Sequence, residues 1–307
     1  MGSAESPLDM FNRLMGAEKD KSAVEAQIQT LIAVIQQSEE AQTVTEVREK
    51  IVKTNNKLMQ SHLANASVRS GGELFLRYIT MTELDQPCFD DTRRVLISRG
   101  ENFLSRIRQS LDRIMSMALP FINHGTRVLL HSRSKMVLAL LKRAAKAQLD
   151  FQCTVTQSLP DKSGERMLAD LQQAGINASL VLDAEVGVAL ERVDMVLLGA
   201  EAVTQSGGIV NKIGTYTVCL CAHALNVPVY VLAESCKFLR AYPLNQADLD
   251  WELRYPASAE RTRTKSGGQC RSPITDYTPP QYLKLLFTDI GIVPPSAVSD
   301  ELTKLYL

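Results

Sequence analysis

Apolar residues recur at threes and fours through the first third of the chain, then give way to short unbroken runs. Between Ser22 and Glu40, Val24, Ile28, Leu31, Ile32 and Ile35 lie at helical spacing. Val44, Val47, Ile51, Leu58 and Leu63 continue the pattern over Thr43 to Leu63. Ser70-Gly71-Gly72 punctuates it, and it resumes from Leu74 to Leu84. Asp90 then caps a long run in which Val95, Leu96, Phe103, Leu104, Ile107, Leu111, Ile114 and Met115 keep the same intervals. No alternating strand interrupts this part, so residues 1–122 are predicted to form a helical bundle domain.

Near His124-Gly125 the rhythm changes. TRVLLHS, FQCTVTQS, SLVLDA, DMVLLGAE and VPVYVLAE are short apolar runs separated by helical stretches, one of them from about Asn211 to Asn226. The runs lack polar alternation, as strands covered on both faces do. Residues 123–307 are therefore predicted to form a Rossmann-like α/β domain with a doubly wound parallel sheet. In such sheets ligands sit beyond the carboxyl ends of the strands. Those ends are polar here: His131-Ser132, Gln157-Ser158, Asp183, Glu201 and Glu234-Ser235. Ser258 to Ser272 reads as a mobile surface loop, solvated, with Arg261, Arg263, Lys265 and Arg271 as its cations. Pro279, Pro280, Pro294 and Pro295 divide the last segment into a strand-like middle and a short helix that docks, within the chain or across a subunit boundary.

Composition narrows the function classes. Lys+Arg and Asp+Glu are 34 each, so no global basic excess points to nucleic acid. No run approaches the roughly 20 apolar residues of a membrane-spanning helix. MGSAESPLDMFNRLMG lacks the apolar core of a secretory signal. Cys88, Cys153, Cys219, Cys221, Cys236 and Cys270 form no CxxC pair, and only His223 lies near one of them. Reduced structural thiols in the cytosol are the expectation, with no metal site.

The chemistry is sparse. The first strand leads into HSRSK, without the glycines of a dinucleotide-binding turn, and no P-loop or GxSxG elbow is present. LLGAEAVTQSGGIVNKIGTYTVCL is the informative stretch. Gly207-Gly208 permits a tight turn, and Asn211-Lys212 is expected to open a helix with Gly214-Thr215 in its first turn. A helix start with a lysine suits a phosphate. An ordinary capped helix start suits the residues equally well, and the residues alone leave both readings open.

GAEAVTQSGGIVNKIGTY resembles the signature of a superfamily. It comprises the alpha, beta and delta subunits of translation initiation factor 2B and two isomerases, acting on methylthioribose-1-phosphate and ribose-1,5-bisphosphate. RSGGELFLRYIT, ISRGENFLSRI, PLNQAD and FTDIGIVPPSAVSDELTKLYL resemble its alpha-subunit branch, so the likeness runs from about residue 67 to the last. The resemblance implies that the isomerases' cysteine after the first strand and aspartate of a GAD motif are replaced here by Ser132 and Glu201. A serine hydroxyl without a base is a far weaker acid and nucleophile than a thiol, and proton transfer tolerates little displacement of a carboxylate. The expectation is a non-enzyme. Asn211, Lys212 and Lys237 remain to hold a sugar phosphate, a nucleotide or a phosphate ion, and no other cofactor is implied.

The resemblance further implies a homodimer bridging the beta, gamma, delta and epsilon subunits of the guanine nucleotide exchange complex for translation initiation factor 2. It also implies that Arg77 and Thr80 lie near the phosphorylated alpha subunit of that factor, where an arginine can pair with phosphoserine. Two rivals stand beside this reading. One is an active isomerase with Glu201 as base, and the other a free-standing metabolite-binding protein.

Overall fold

The computed structural model describes residues 5–17, 22–38, 43–59, 61, 66–80, 89–250 and 273–306. Cys88, Cys270, the expected extension of a helix to Leu84 and the basic segment 258–272 lie outside the described residues.

Five helices come first: α1 (Pro7–Ala17), α2 (Ala23–Gln36), α3 (Val44–Met59), α4 (Ala66–Thr80) and α5 (Phe89–Ala118). The Ser22 side chain caps α2 by accepting from Glu25 N at 3.1 Å. α2 packs against the other four helices and buries Val24, Ile28, Leu31, Ile32 and Ile35, the positions its spacing predicts.

Two expectations fail here. Ser70-Gly71-Gly72 does not end a helix, because α4 runs straight through it. Added Cβ atoms at Gly71 and Gly72 would come within 2.6 Å of Val24 Cγ1 and Gln27 Nε2. The glycines are there to let α4 approach α2, not to turn the chain. α5 begins at Phe89, one residue before Asp90, the expected cap, whose side chain lies outside the described residues.

The second part is a seven-stranded sheet in the order β3-β2-β1-β4-β7-β10-β11. The strands are β1 (Thr126–Leu130), β2 (Phe151–Thr156), β3 (Ala178–Val181), β4 (Met195–Gly199), β7 (Val229–Leu232), β10 (Leu285–Thr288) and β11 (Gly291–Val293). All pairs are parallel except β10 with β11. Strand order reverses between β1 and β4, the place where this architecture opens a crevice. Alternate residues feed two cores: Leu129, Val196 and Leu198 face one side, and Val128, Leu130, Met195 and Leu197 the other. That is why the central runs carry no polar alternation.

Helices α6 (Lys135–Lys146), α7 (Ser163–Gln173), α8 (Val186–Leu190) and α9 (Thr215–Ala224) connect the strands. The C-terminal helix α10 (Val298–Tyr306) buries Val298 and Leu302 in the chain's own core, while the Tyr306 side chain and Leu307 lie outside the described residues.

A second, four-stranded sheet was not foreseen. It has the order β8-β5-β6-β9, from β5 (Ala202–Thr204), β6 (Ile209–Lys212), β8 (Phe238–Leu239) and β9 (Thr275–Thr278). β5 and β6 form the hairpin that Gly207-Gly208 turns, with Val203 opposite Ile209. Asn211 and Lys212 therefore end a strand and do not open a helix; α9 starts at Thr215. The apolar pair Ile209-Val210 is buried in this hairpin, and burial outweighs the helical propensity of the residues that follow.

Candidate functional site

The crevice at the β1/β4 reversal is lined from both sheets. After Leu130 the chain enters His131 and then Ser132, which lies in the left-handed region at φ 66°. Ser132 N donates to Ser158 Oγ at 2.8 Å, and Ser132 Oγ lies 3.0 Å from Ser163 Oγ. His131 is buried between the sheets. Its Nε2 meets the Ile213 carbonyl at 2.9 Å and its Nδ1 meets Thr156 Oγ1 at 2.7 Å. A carbonyl only accepts, so Nε2 carries the proton and the Thr156 hydroxyl donates to Nδ1. Burial pushes the His131 pKa down and favours this neutral ring. Both ring nitrogens are thus engaged, and the imidazole is a strut between β1, β2 and the turn after β6. Gly214 follows that turn at φ 100°, and a Cβ there would press 2.8 Å from His131 Cε1.

The charged groups come as internal pairs. Lys212, at the end of β6, places Nζ 2.9 Å from Asp161 Oδ1 in the loop between β2 and α7. Lys237, in the turn after β7, places Nζ 2.7 Å from Glu234 Oε2. Burial alone would raise the Glu234 carboxyl and lower the Lys237 ammonium. Their mutual attraction outweighs it, leaving Glu234 below and Lys237 above the ordinary values. Glu201 feels both lysines, yet burial dominates and pushes its carboxyl up. The pull of both lysines on Glu201 puts the three charges within electrostatic reach of one another. Asn211 has a different task. Its amide donates to Thr215 Oγ1 at 3.0 Å, and that hydroxyl donates to Lys212 O at 2.6 Å. It fixes the backbone beneath Lys212.

Two residues that shape the site, Asp161 and Asp276, carry no signal in the sequence, and a third, Asp183, acts otherwise than by lining a strand end. Asp161 lies several residues past β2, deep in a loop and not at a strand end. Asp183 was placed at a strand end, but it accepts from Ser158 N at 2.7 Å and Leu159 N at 2.8 Å, so it braces the same loop. Asp276, from β9, accepts from Gly214 N at 2.8 Å and Tyr216 N at 3.1 Å through Oδ2. It arrives from 62 residues beyond Gly214, and no local motif announces it.

Asp276 Oδ1 is buried without a hydrogen-bond partner among the described residues. Burial raises the pKa to about 7, against the two N–H bonds that lower it. A proton on Oδ1 removes the buried charge, with Oδ2 left as acceptor. The folded pKa lies above the unfolded one, so the folded state binds more protons between about pH 4 and pH 7. Stability from this group is full at the acid end and is lost as pH rises through about 7. Asp276→Asn keeps the acceptor and removes the charge. Relative to wild type it is expected to gain roughly 2–4 kcal/mol between pH 5 and pH 8, read from paired denaturant titrations. An equal difference at both pH values would contradict this.

Arg77 is half-buried in the last turn of α4; Thr80 is the last residue of that helix, and its side chain lies outside the described residues. α4 packs on the Ser235–Lys237 turn, where Cys236 enters the helical core next to Lys237. The described cysteines Cys153, Cys219, Cys221 and Cys236 are unbonded thiols, and burial raises Cys153 to about 12. Among the described residues no cluster of His, Cys, Asp and Glu suits a metal ion, and no helix is long and apolar enough to cross a membrane.

A family model for the "Initiation factor 2 subunit family" matches residues 18–295. The chain belongs to the initiation factor 2 subunit family. It is 37% identical to the translation initiation factor eIF2B subunit alpha of Caenorhabditis elegans, over 99% of both chains. It is 40% identical to the Dictyostelium discoideum protein of that name, over 96% of this chain and 95% of the relative. A ribose 1,5-bisphosphate isomerase of Archaeoglobus fulgidus is 29% identical over 67% of this chain and 66% of its own. Among solved structures, the translation initiation factor eIF-2B of Pyrococcus horikoshii superposes with a TM-score of 0.70 at 26% identity, covering 95% of this chain and 98% of that one. Within the initiation factor 2 subunit family the same fold thus accompanies factor subunits, and an isomerase resembles two thirds of this chain.

Proposed function

We propose that this chain is the alpha subunit of the guanine nucleotide exchange complex for translation initiation factor 2, a regulatory and non-catalytic protein of the cytosol. In this reading it homodimerises to bridge subcomplexes of the beta, gamma, delta and epsilon subunits. The near full-length likeness to two alpha subunits carries the proposal. The crevice supports it. Ser132 faces the Ser163 hydroxyl, and the neighbouring His131 has both ring nitrogens engaged elsewhere, so among the described residues no imidazole stands ready to activate it. Lys212 and Lys237, with Asn211 holding the backbone beneath, are the groups through which a sugar phosphate, nucleotide or phosphate ion would bind, beside Ser132 and Glu201. One observation favours the isomerase reading as the alternative: burial raises the Glu201 carboxyl toward the range of a working acid or base.

Arg77 and Thr80, at the end of α4, are proposed to face the phosphorylated alpha subunit of factor 2. The guanidinium fits a phosphoserine through paired charge-assisted hydrogen bonds. Reconstitution from purified subunits tests both parts. Adding this chain to the beta, gamma, delta and epsilon subunits is expected to raise the particle mass by two copies and to make exchange sensitive to phosphorylated factor 2. Arg77→Ala is expected to keep the mass and weaken the inhibition several-fold. A chain that fails to enter the particle sinks the subunit assignment; unchanged inhibition by the variant sinks the Arg77 contact.

A further inference from the structure

We infer that the Asp161 carboxylate occupies the anion seat of the crevice and thereby restricts its ligands to phosphate-like dianions. The inference rests on the anion-binding reading of Lys212 above. Asp161 Oδ1 takes Lys212 Nζ at 2.9 Å and the Ser163 N–H at 3.0 Å. Its other oxygen lies 3.6 Å from Arg166 Nη2. Ser163 opens α7, an eleven-residue helix, so the carboxylate also sits at a positive helix end. An ammonium, a helix N–H and a guanidinium around one anionic oxygen pair are the surroundings a phosphate group would seek.

The two partners differ in freedom. The Lys212 side chain is 9% exposed and anchored on β6, paired to β9 and braced by Thr215. The Asp161 side chain is 48% exposed, on a loop between Pro160 and the left-handed Lys162. Lys212 is enclosed by the crevice, whereas Asp161 lies half open to solvent. Burial works against the Asp161 charge, but the Lys212 and Ser163 bonds outweigh it and hold the carboxyl below its ordinary range. The competitor is therefore ionised whenever a ligand arrives. A monoanion such as acetate would replace one carboxylate by another and gain nothing. A phosphate monoester brings a second charge and a third acceptor oxygen, and so outbids Asp161 for Lys212, the α7 N–H groups and Arg166.

Calorimetric titration at pH 8 with ribose 5-phosphate, and with acetate as the monoanion, tests this. Wild type is expected to bind ribose 5-phosphate and not acetate. Asp161→Asn is expected to bind ribose 5-phosphate about tenfold tighter, ~1.4 kcal/mol. Adding Lys212→Met is expected to abolish that gain, and Asp161→Ser serves as a second variant free of the amide. Equal or weaker binding by both Asp161 variants, with wild-type binding intact, overturns the inference and leaves the anion site standing. A gain that survives Lys212→Met overturns it too, because the seat would then lie elsewhere. No binding by wild type or by either single variant overturns the inference and the anion reading together.

Discussion

Gly72→Ala is expected to destabilise the folded chain by about 2–4 kcal/mol, with a matching fall in thermal midpoint. The added methyl would come within 2.6 Å of Asn55 Nδ2 and Gln27 Nε2. Those groups are not loose ends. Gln27 Nε2 donates to Asn55 Oδ1 at 2.5 Å and to Val68 O at 2.6 Å, and both side chains are buried. To admit the methyl, α4 must lift from α2 or the two amides must separate. Either leaves buried polar atoms without partners, at about 1–3 kcal/mol each, beyond the strain of overpacking. Gly16→Ala, in α1, is the control. Nothing lies within 4 Å of its added Cβ, so the better helix former is expected to stabilise slightly, by about 0.5–1 kcal/mol. Opposite signs at two helical glycines would confirm that Gly72 serves packing; equal small effects would contradict it.

The same glycine marks where sequence reasoning runs out. A Gly-Gly pair inside a helical pattern is also a turn signal, and only the partner helix decides between the two. The helices and the central strands were legible because their burial is periodic: one stripe on a helix, both faces on a covered strand. The small sheet was not legible. Its strands are two to four residues long and pair across distant segments, β6 with β9 among them. The local pattern at Asn211 and Lys212 consequently predicts a helix start, whereas these residues close a strand.

The site divides along the same line. Ser132, Glu201 and Lys237 follow central strands, so a doubly wound pattern points at them, whereas Lys212 stands out only through the glycine pair before it and the family resemblance. Asp161, Asp276 and the strut role of His131 depend on loop geometry and on contacts across the two sheets. No local spacing encodes those. The consequence for mechanism is that the lysines were legible but their counter-ions were not. The crevice is a set of internally paired charges, not a bare cationic pocket.

The absence of an activated nucleophile is the claim on which the regulatory reading turns. An isomerase of this fold needs a group to deliver and collect protons at neighbouring carbons. Ser132 has a hydroxyl neighbour, and His131 has no free nitrogen within the network. Glu201 offers a carboxyl, with burial holding its pKa up. Purified chain incubated with ribose-1,5-bisphosphate or methylthioribose-1-phosphate is therefore expected to give ketose no faster than buffer does. Enzymic isomerisation would run at about 1–1,000 turnovers per second, a rate no background approaches. Ketose formation at such a rate, lost in Glu201→Gln, would contradict the account outright; a flat progress curve with intact phosphate binding is what it predicts.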